Sequence, residues 1–66
     1  MEVRYPHIDV QLTGEDGNAF AILARCTVAG RRAGLDQKEL LRFGDEATAA
    51  DYGHLLRTAL SWFNCL

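Results

Sequence analysis

The segment most able to bind a ligand is a polar turn that precedes an apolar stretch. The turn reads Gly14-Glu15-Asp16-Gly17-Asn18 and lies between a predicted strand and a predicted helix. A glycine-rich turn before a helix N-terminus can bind phosphate, because free backbone N–H groups and the helix dipole point toward the anion. The Lys-Ser/Thr pair of a P-loop is missing, and Glu15 and Asp16 would repel a phosphate. The pattern is therefore more typical of a tight turn that starts a helix.

A ligand-site hypothesis combines this turn with two arginines near the end of the predicted helix. Arg31 and Arg32 would supply positive charge for an anionic metabolite or nucleotide, for example at a dimer interface. Glu15, Asp16 and Asn18 are three oxygen donors close together, but they lack the spacing of a calcium loop. We therefore expect no metal site and no cofactor.

The residues that could support catalysis do not form a recognisable motif. Cys26 lies in the apolar helix, where a free thiol is usually buried and unreactive. His54 follows Asp51 by three positions, so the two side chains can pair on one helix face. His7 falls on the polar face of the predicted strand. We therefore expect no catalytic residue and no enzymatic activity.

Composition excludes several classes of protein. The chain has 66 residues and a net charge of −2, which is enough for one small domain. Its longest apolar run has six residues, well below the ~20 that span a bilayer. The N-terminal residues lack the apolar segment of a signal peptide, so we expect a cytoplasmic protein without membrane contact. Positive charge is concentrated only at Arg25, Arg31 and Arg32, which argues against non-specific nucleic-acid binding but is compatible with a local basic patch.

Residues 7–13 predict a β-strand, because polar and apolar side chains alternate throughout. Ile8, Val10 and Leu12 would face a core. Pro6 cannot donate to a strand ladder, so it marks a bulge or the start of the strand. A lone strand leaves its backbone unpaired. Its partner is either the tail, residues 62–66, or the same strand of a second molecule.

Three helices are predicted after the turn. Asn18 caps a helix that runs to about Ala33, and Gly34 suits the left-handed position just after its end. Asp36 caps a second helix that ends near Ala47, and Thr48–Asp51 is a further capping pattern. The third helix carries an apolar stripe of Tyr52, Leu55, Leu56, Ala59, Leu60 and Phe63. The fold class is therefore α/β (α+β), with one N-terminal strand and three helices; the tail extends the last helix or forms a short strand.

Two segments resemble a family of small uncharacterised proteins from bacteria, phages and plasmids. The first is Val-x-Leu-Thr-Gly-Glu-Asp-Gly-Asn-Ala-Phe-Ala-Ile-Leu at 10–23. The second is Glu-Ala-Thr-x-x-Asp-Tyr-x-His-Leu-Leu-x-Thr with a following tryptophan, at 46–62. The resemblance covers most of the chain, and it implies no functional residue. The chain departs from that pattern at Gly44 and at residues 63–65.

Three functions are compatible with these observations. The first is a homodimeric protein-interaction or regulatory module whose copies pair through Ile8, Val10 and Leu12 of the strand, since isolated strand edges favour pairing. The second is a binder of a small anionic ligand that uses the turn at 14–18. The third is a DNA-binding helix-turn-helix, which the acidic residues between the second and third helices oppose. The first hypothesis is the preferred one.

Overall fold

The computed structural model describes residues 2–15 and 17–66. The elements in chain order are β1 (Tyr5–Val10), α1 (Ala19–Arg32), α2 (Gln37–Ala47), α3 (Tyr52–Trp62) and β2 (Phe63–Cys65). β1 and β2 pair in parallel as a two-stranded sheet. This α+β architecture confirms the predicted order of elements and shows that the tail is a strand. No helix within the described ranges has the length and apolarity needed to cross a membrane.

β1 contains an irregularity at Pro6, where the sequence predicted either a bulge or the start of the strand. Tyr5 lies opposite Phe63, and Asp9 lies opposite Asn64, so four steps along β1 match one step along β2. Pro6 falls inside this interval and has no N–H to donate to the ladder. β1 itself begins at Tyr5, which is two residues before the predicted start of the strand at residue 7.

The chain after Val10 stays hydrogen-bonded to the tail. The backbone N–H groups of Leu12 and Thr13 both donate to the carbonyl oxygen of Leu66, each at 2.7 Å. Two donors on one oxygen do not form a regular ladder, which explains why β1 ends before the predicted boundary. The sheet obtains its second strand from the chain's own tail.

Each helix begins at a side chain that caps it. The Oδ1 atom of Asn18 accepts from the N–H of Phe20 at 2.8 Å, and Asp36 caps α2 as predicted. α3 begins later than the Thr48 pattern suggested, because Asp51 is its cap. The Thr48 hydroxyl instead donates to the carbonyl of Gly44 at 2.7 Å, so it closes α2.

The core lies between the sheet and the three helices and is rich in aromatic rings. The Phe43 ring centroid is 5.4 Å from that of Trp62 and 5.2 Å from that of Phe63. Gly30 lets α1 approach α2 closely, since a Cβ atom there would lie 2.9 Å from the Cδ2 atom of Leu40. The buried core consists of Ile8, Val10, Ile22, Cys26, Phe43, Ala47, Leu55, Ala59, Trp62 and Phe63.

Candidate functional site

The turn at 14–18 is held by interactions that serve the fold. Glu15 forms an ion pair with Arg25, with the two side-chain atoms 3.2 Å apart. The Tyr52 hydroxyl donates to the carbonyl oxygen of Gly17, which ties the turn to the start of α3. Gly14 adopts a φ of 79°, a conformation that glycine adopts readily. Asp16 lies outside the described residues. The Glu15 side chain, the Gly17 carbonyl and the Asn18 side chain therefore have structural partners.

The arginines assigned to the ligand site lie at the other end of α1. Arg31 and Arg32 occupy its last turn, where positive charge interacts favourably with the helix dipole. Asn18 caps the opposite end, and a rise of ~1.5 Å per residue separates the two ends by roughly 20 Å. The structure therefore does not bring the turn and the two arginines together around one ligand.

The thiol and imidazole groups are also engaged within the fold. Cys26 is fully buried. Burial is the main cause that raises the pKa of its thiol to about 12, and the nearby Cys65 thiol adds a smaller effect. The backbone N–H of His54 donates to Asp51 at 2.9 Å, while its ring Nε2 lies 2.7 Å from the carbonyl oxygen of Glu46. Within the described residues, no three His, Cys, Asp or Glu side chains cluster as a metal site would require.

A polar cluster joins the start of β1 to α2. The Tyr5 hydroxyl donates to the Glu39 carboxylate, which also lies 3.6 Å from Arg4 and 3.8 Å from Arg42. The guanidinium of Arg4 lies 4.5 Å from the ring centroid of Trp62. The hydrogen bond to Glu39, and then burial, raise the pKa of Tyr5. These contacts position the strand against the helix.

The apolar side chains assigned to a dimer interface are used inside the chain. Ile8 and Val10 are only 3% and 2% exposed, and Leu12 is half-buried against the same core. These side chains offer little surface to a second copy. Pairing through β1 would therefore depend on its backbone.

One edge of β1 has backbone groups that the sheet does not use. The carbonyl of Val10 accepts from Leu66 at 2.8 Å, so the polar groups of Val10 point toward β2. Successive residues of a strand direct their N–H and C=O groups to opposite sides. The N–H of Leu12 also donates to Leu66, so this alternation continues one residue past the end of β1. The groups of Asp9 and Gln11 therefore point away from β2. Apart from the β1–β2 ladder, no backbone hydrogen bond between described residues ends on them. We call these groups of Asp9 and Gln11 the open edge.

A groove of about 370 Å³ runs between the open edge and α1. Its floor is apolar and is formed by small side chains of α1, and Val28 there is 42% exposed. Arg25 and Arg32 line the helix side, and Asp9 lines the strand side. The Asp9 carboxylate accepts a hydrogen bond from Asn64 at 2.8 Å. We call this groove the edge groove. Its lining is Asp9, Val10, Gln11, Ala24, Arg25, Val28, Ala29 and Arg32.

Sequence reasoning missed most of the edge groove. It identified Arg32, but associated it with the turn at 14–18. The recurrence of Arg25, Val28 and Arg32 at spacings of three and four marks one helix face, and this was the available signal. No pattern among neighbouring residues in the sequence indicated that this face of α1 lies beside Gln11. Comparisons with protein-family models, curated proteins and solved structures find no match to this chain.

Proposed function

We propose that this chain is a protein-interaction module that binds an extended segment along the open edge of β1. The observation that carries the proposal is the open edge of Asp9 and Gln11 next to an apolar groove. Unpaired strand edges accept a further strand through main-chain hydrogen bonds, while neighbouring pockets select its side chains. The chain provides both parts within one short region.

Self-association is one use of this edge, and it gives the homodimer expected from the sequence. Two copies of β1 could pair antiparallel about Val10. Asp9 of each copy would then exchange both main-chain hydrogen bonds with Gln11 of the other. The result is a symmetric four-stranded sheet, and symmetric dimers of this kind are common. Free thiols at Cys26 and Cys65 suit a reducing compartment such as the cytoplasm.

The two other hypotheses receive less support. The anionic-ligand hypothesis needs the turn at 14–18 and the arginines of α1 in one pocket, and they lie at opposite ends of that helix. In a helix-turn-helix protein, the second helix of the motif presents its first residues to DNA. Asp51 caps that end of α3, and its carboxylate would face the phosphate backbone.

The test compares two proline substitutions next to each other in the chain. In Gln11→Pro, an outward-pointing N–H is removed, so the fold should persist while binding to any extended partner is lost. In Val10→Pro, an N–H that faces β2 is removed, so the fold itself should be destabilised. Circular dichroism reports folding, light scattering after size exclusion reports self-association, and a panel of extended peptides reports binding.

A second variant covers the case in which Gln11→Pro does not fold. Val28→Glu places a charged side chain in the edge groove at a position that is already partly exposed. It should reduce association and leave the melting temperature nearly unchanged. A folded wild-type chain that is monomeric and binds no extended peptide would contradict the proposal. Binding that survives both Gln11→Pro and Val28→Glu would do the same.

A further inference from the structure

The charge of the edge groove indicates what kind of segment it accepts. Arg32 lines the helix side of the groove, and no carboxylate within residues 2–15 and 17–66 forms an ion pair with it. Arg25 lines the same side and is paired with Glu15 at 3.2 Å. The chain as a whole carries a net charge of −2, so the positive charge of Arg32 on the helix side of the groove differs in sign from the overall charge.

We propose that the preferred occupant of the edge groove is an extended acidic segment of another protein, which pairs with the open edge and places a carboxylate against Arg32. This inference rests on the proposed function. Side chains of an added strand alternate between the two faces of the sheet. Those directed toward α1 would meet small apolar side chains and then Arg32. Those on the other face would meet the Asp9 carboxylate, where a negative charge is disfavoured.

A second copy of the chain is a poorer occupant on electrostatic grounds. A symmetric interface brings the same surface of both copies together. Two edge grooves would then bring the Arg32 side chains of both copies into one interface, while each Arg25 is already paired with Glu15. Like charges across an interface disfavour association. The β1 segment has its own carboxylate at Asp9, but Asn64 holds that group. An acidic partner avoids this repulsion and supplies the missing opposite charge.

The test uses three matched peptides that alternate threonine and valine and have blocked termini. They differ at one central position that faces α1, which is Glu, Gln or Lys. Fluorescence anisotropy at low salt measures their affinities for the full chain. The Glu peptide should bind about threefold more tightly than the Gln peptide, as one exposed ion pair would give. The Lys peptide should bind most weakly, and added salt should reduce the difference.

The matched control for Arg32 is its neighbour. In Arg32→Gln, the preference for Glu over Gln should disappear. In Arg31→Gln, the net charge changes by the same amount one residue away, outside the groove lining, and the preference should remain. Equal affinities for the three peptides would overturn the acidic partner, as would equal effects of the two substitutions.

The outcomes also separate this inference from the proposed function. If the Gln peptide binds as well as the Glu peptide and Gln11→Pro abolishes both, the edge is the site and only the acidic preference is wrong. If wild-type chains self-associate through the edge and exclude the peptides, a second copy is the occupant. If Glu-peptide binding survives Gln11→Pro and Val28→Glu, attraction to charge alone explains it, and both proposals fail.

Discussion

Substitution of Phe43 should show how much of the stability depends on the aromatic core. Phe43 is 1% exposed and packs edge-on against Trp62 and Phe63. Each aromatic pair contributes about 0.5–1.5 kcal/mol beyond buried area, so Phe43→Leu should lower the free energy of unfolding by roughly 1–3 kcal/mol. Complete truncation in Phe43→Ala should cost about 3–5 kcal/mol. A domain of this size has only about 3–10 kcal/mol in total, so Phe43→Ala should lose a large part of its stability.

The matched control is a phenylalanine on the surface. Phe20 lies in α1 and is 82% exposed, and alanine is the better helix former by about 0.5 kcal/mol. Phe20→Ala should therefore leave the free energy of unfolding unchanged or slightly higher. Urea unfolding followed by circular dichroism and tryptophan fluorescence measures both variants. Equal losses for Phe20→Ala and Phe43→Ala, or a negligible loss in Phe43→Leu, would refute the assignment of the core.

Three further perturbations test the local contacts. Asn18→Ala should lower the free energy of unfolding by about 1 kcal/mol through the lost cap of α1, and Asn18→Asp should retain most of it in the same urea titration. Tyr5→Phe removes the hydrogen bond to Glu39 and should cost about 1 kcal/mol; an unchanged unfolding midpoint would mean that this bond contributes nothing. Because the pKa of Cys26 is raised from 9.0 to about 12, the folded state keeps a proton that the unfolded chain loses, so stability should fall as pH rises from 9 toward 12. Cys26→Ala should flatten that part of the pH profile, and an identical profile in this variant would assign the loss to other groups.

The features that could be predicted from the sequence depend on neighbours in the chain. Asn18 and Asp36 cap helices through side chains that reach only two or three residues ahead, so their types and positions suffice. The alternation through Ile8 and Val10 identified the strand and its buried face. The apolar stripe of the third helix correctly placed Leu55 and Ala59 in the core, but Tyr52 and Leu60 of that stripe are exposed.

The features that could not be predicted depend on distant parts of the chain. Phe63–Cys65 becomes a strand because β1 lies beside it, and local composition did not decide between helix and strand. Phe20 belongs to an apolar run that looks like core, but the direction from which other elements pack leaves its ring exposed. The edge groove joins Gln11 to Arg32, and only the packing of α1 against β1 brings these residues together.

Amide hydrogen exchange at Asp9, Val10 and Gln11 tests the open edge most directly. In dilute solution, the amides of Asp9 and Gln11 should exchange quickly, while that of Val10, which faces β2, should be protected. A saturating amount of the Glu peptide should then protect Asp9 and Gln11 without changing Val10. Protection of Asp9 and Gln11 in the dilute monomer, or their continued rapid exchange with the peptide bound, would contradict the claim that β1 binds partners through this edge.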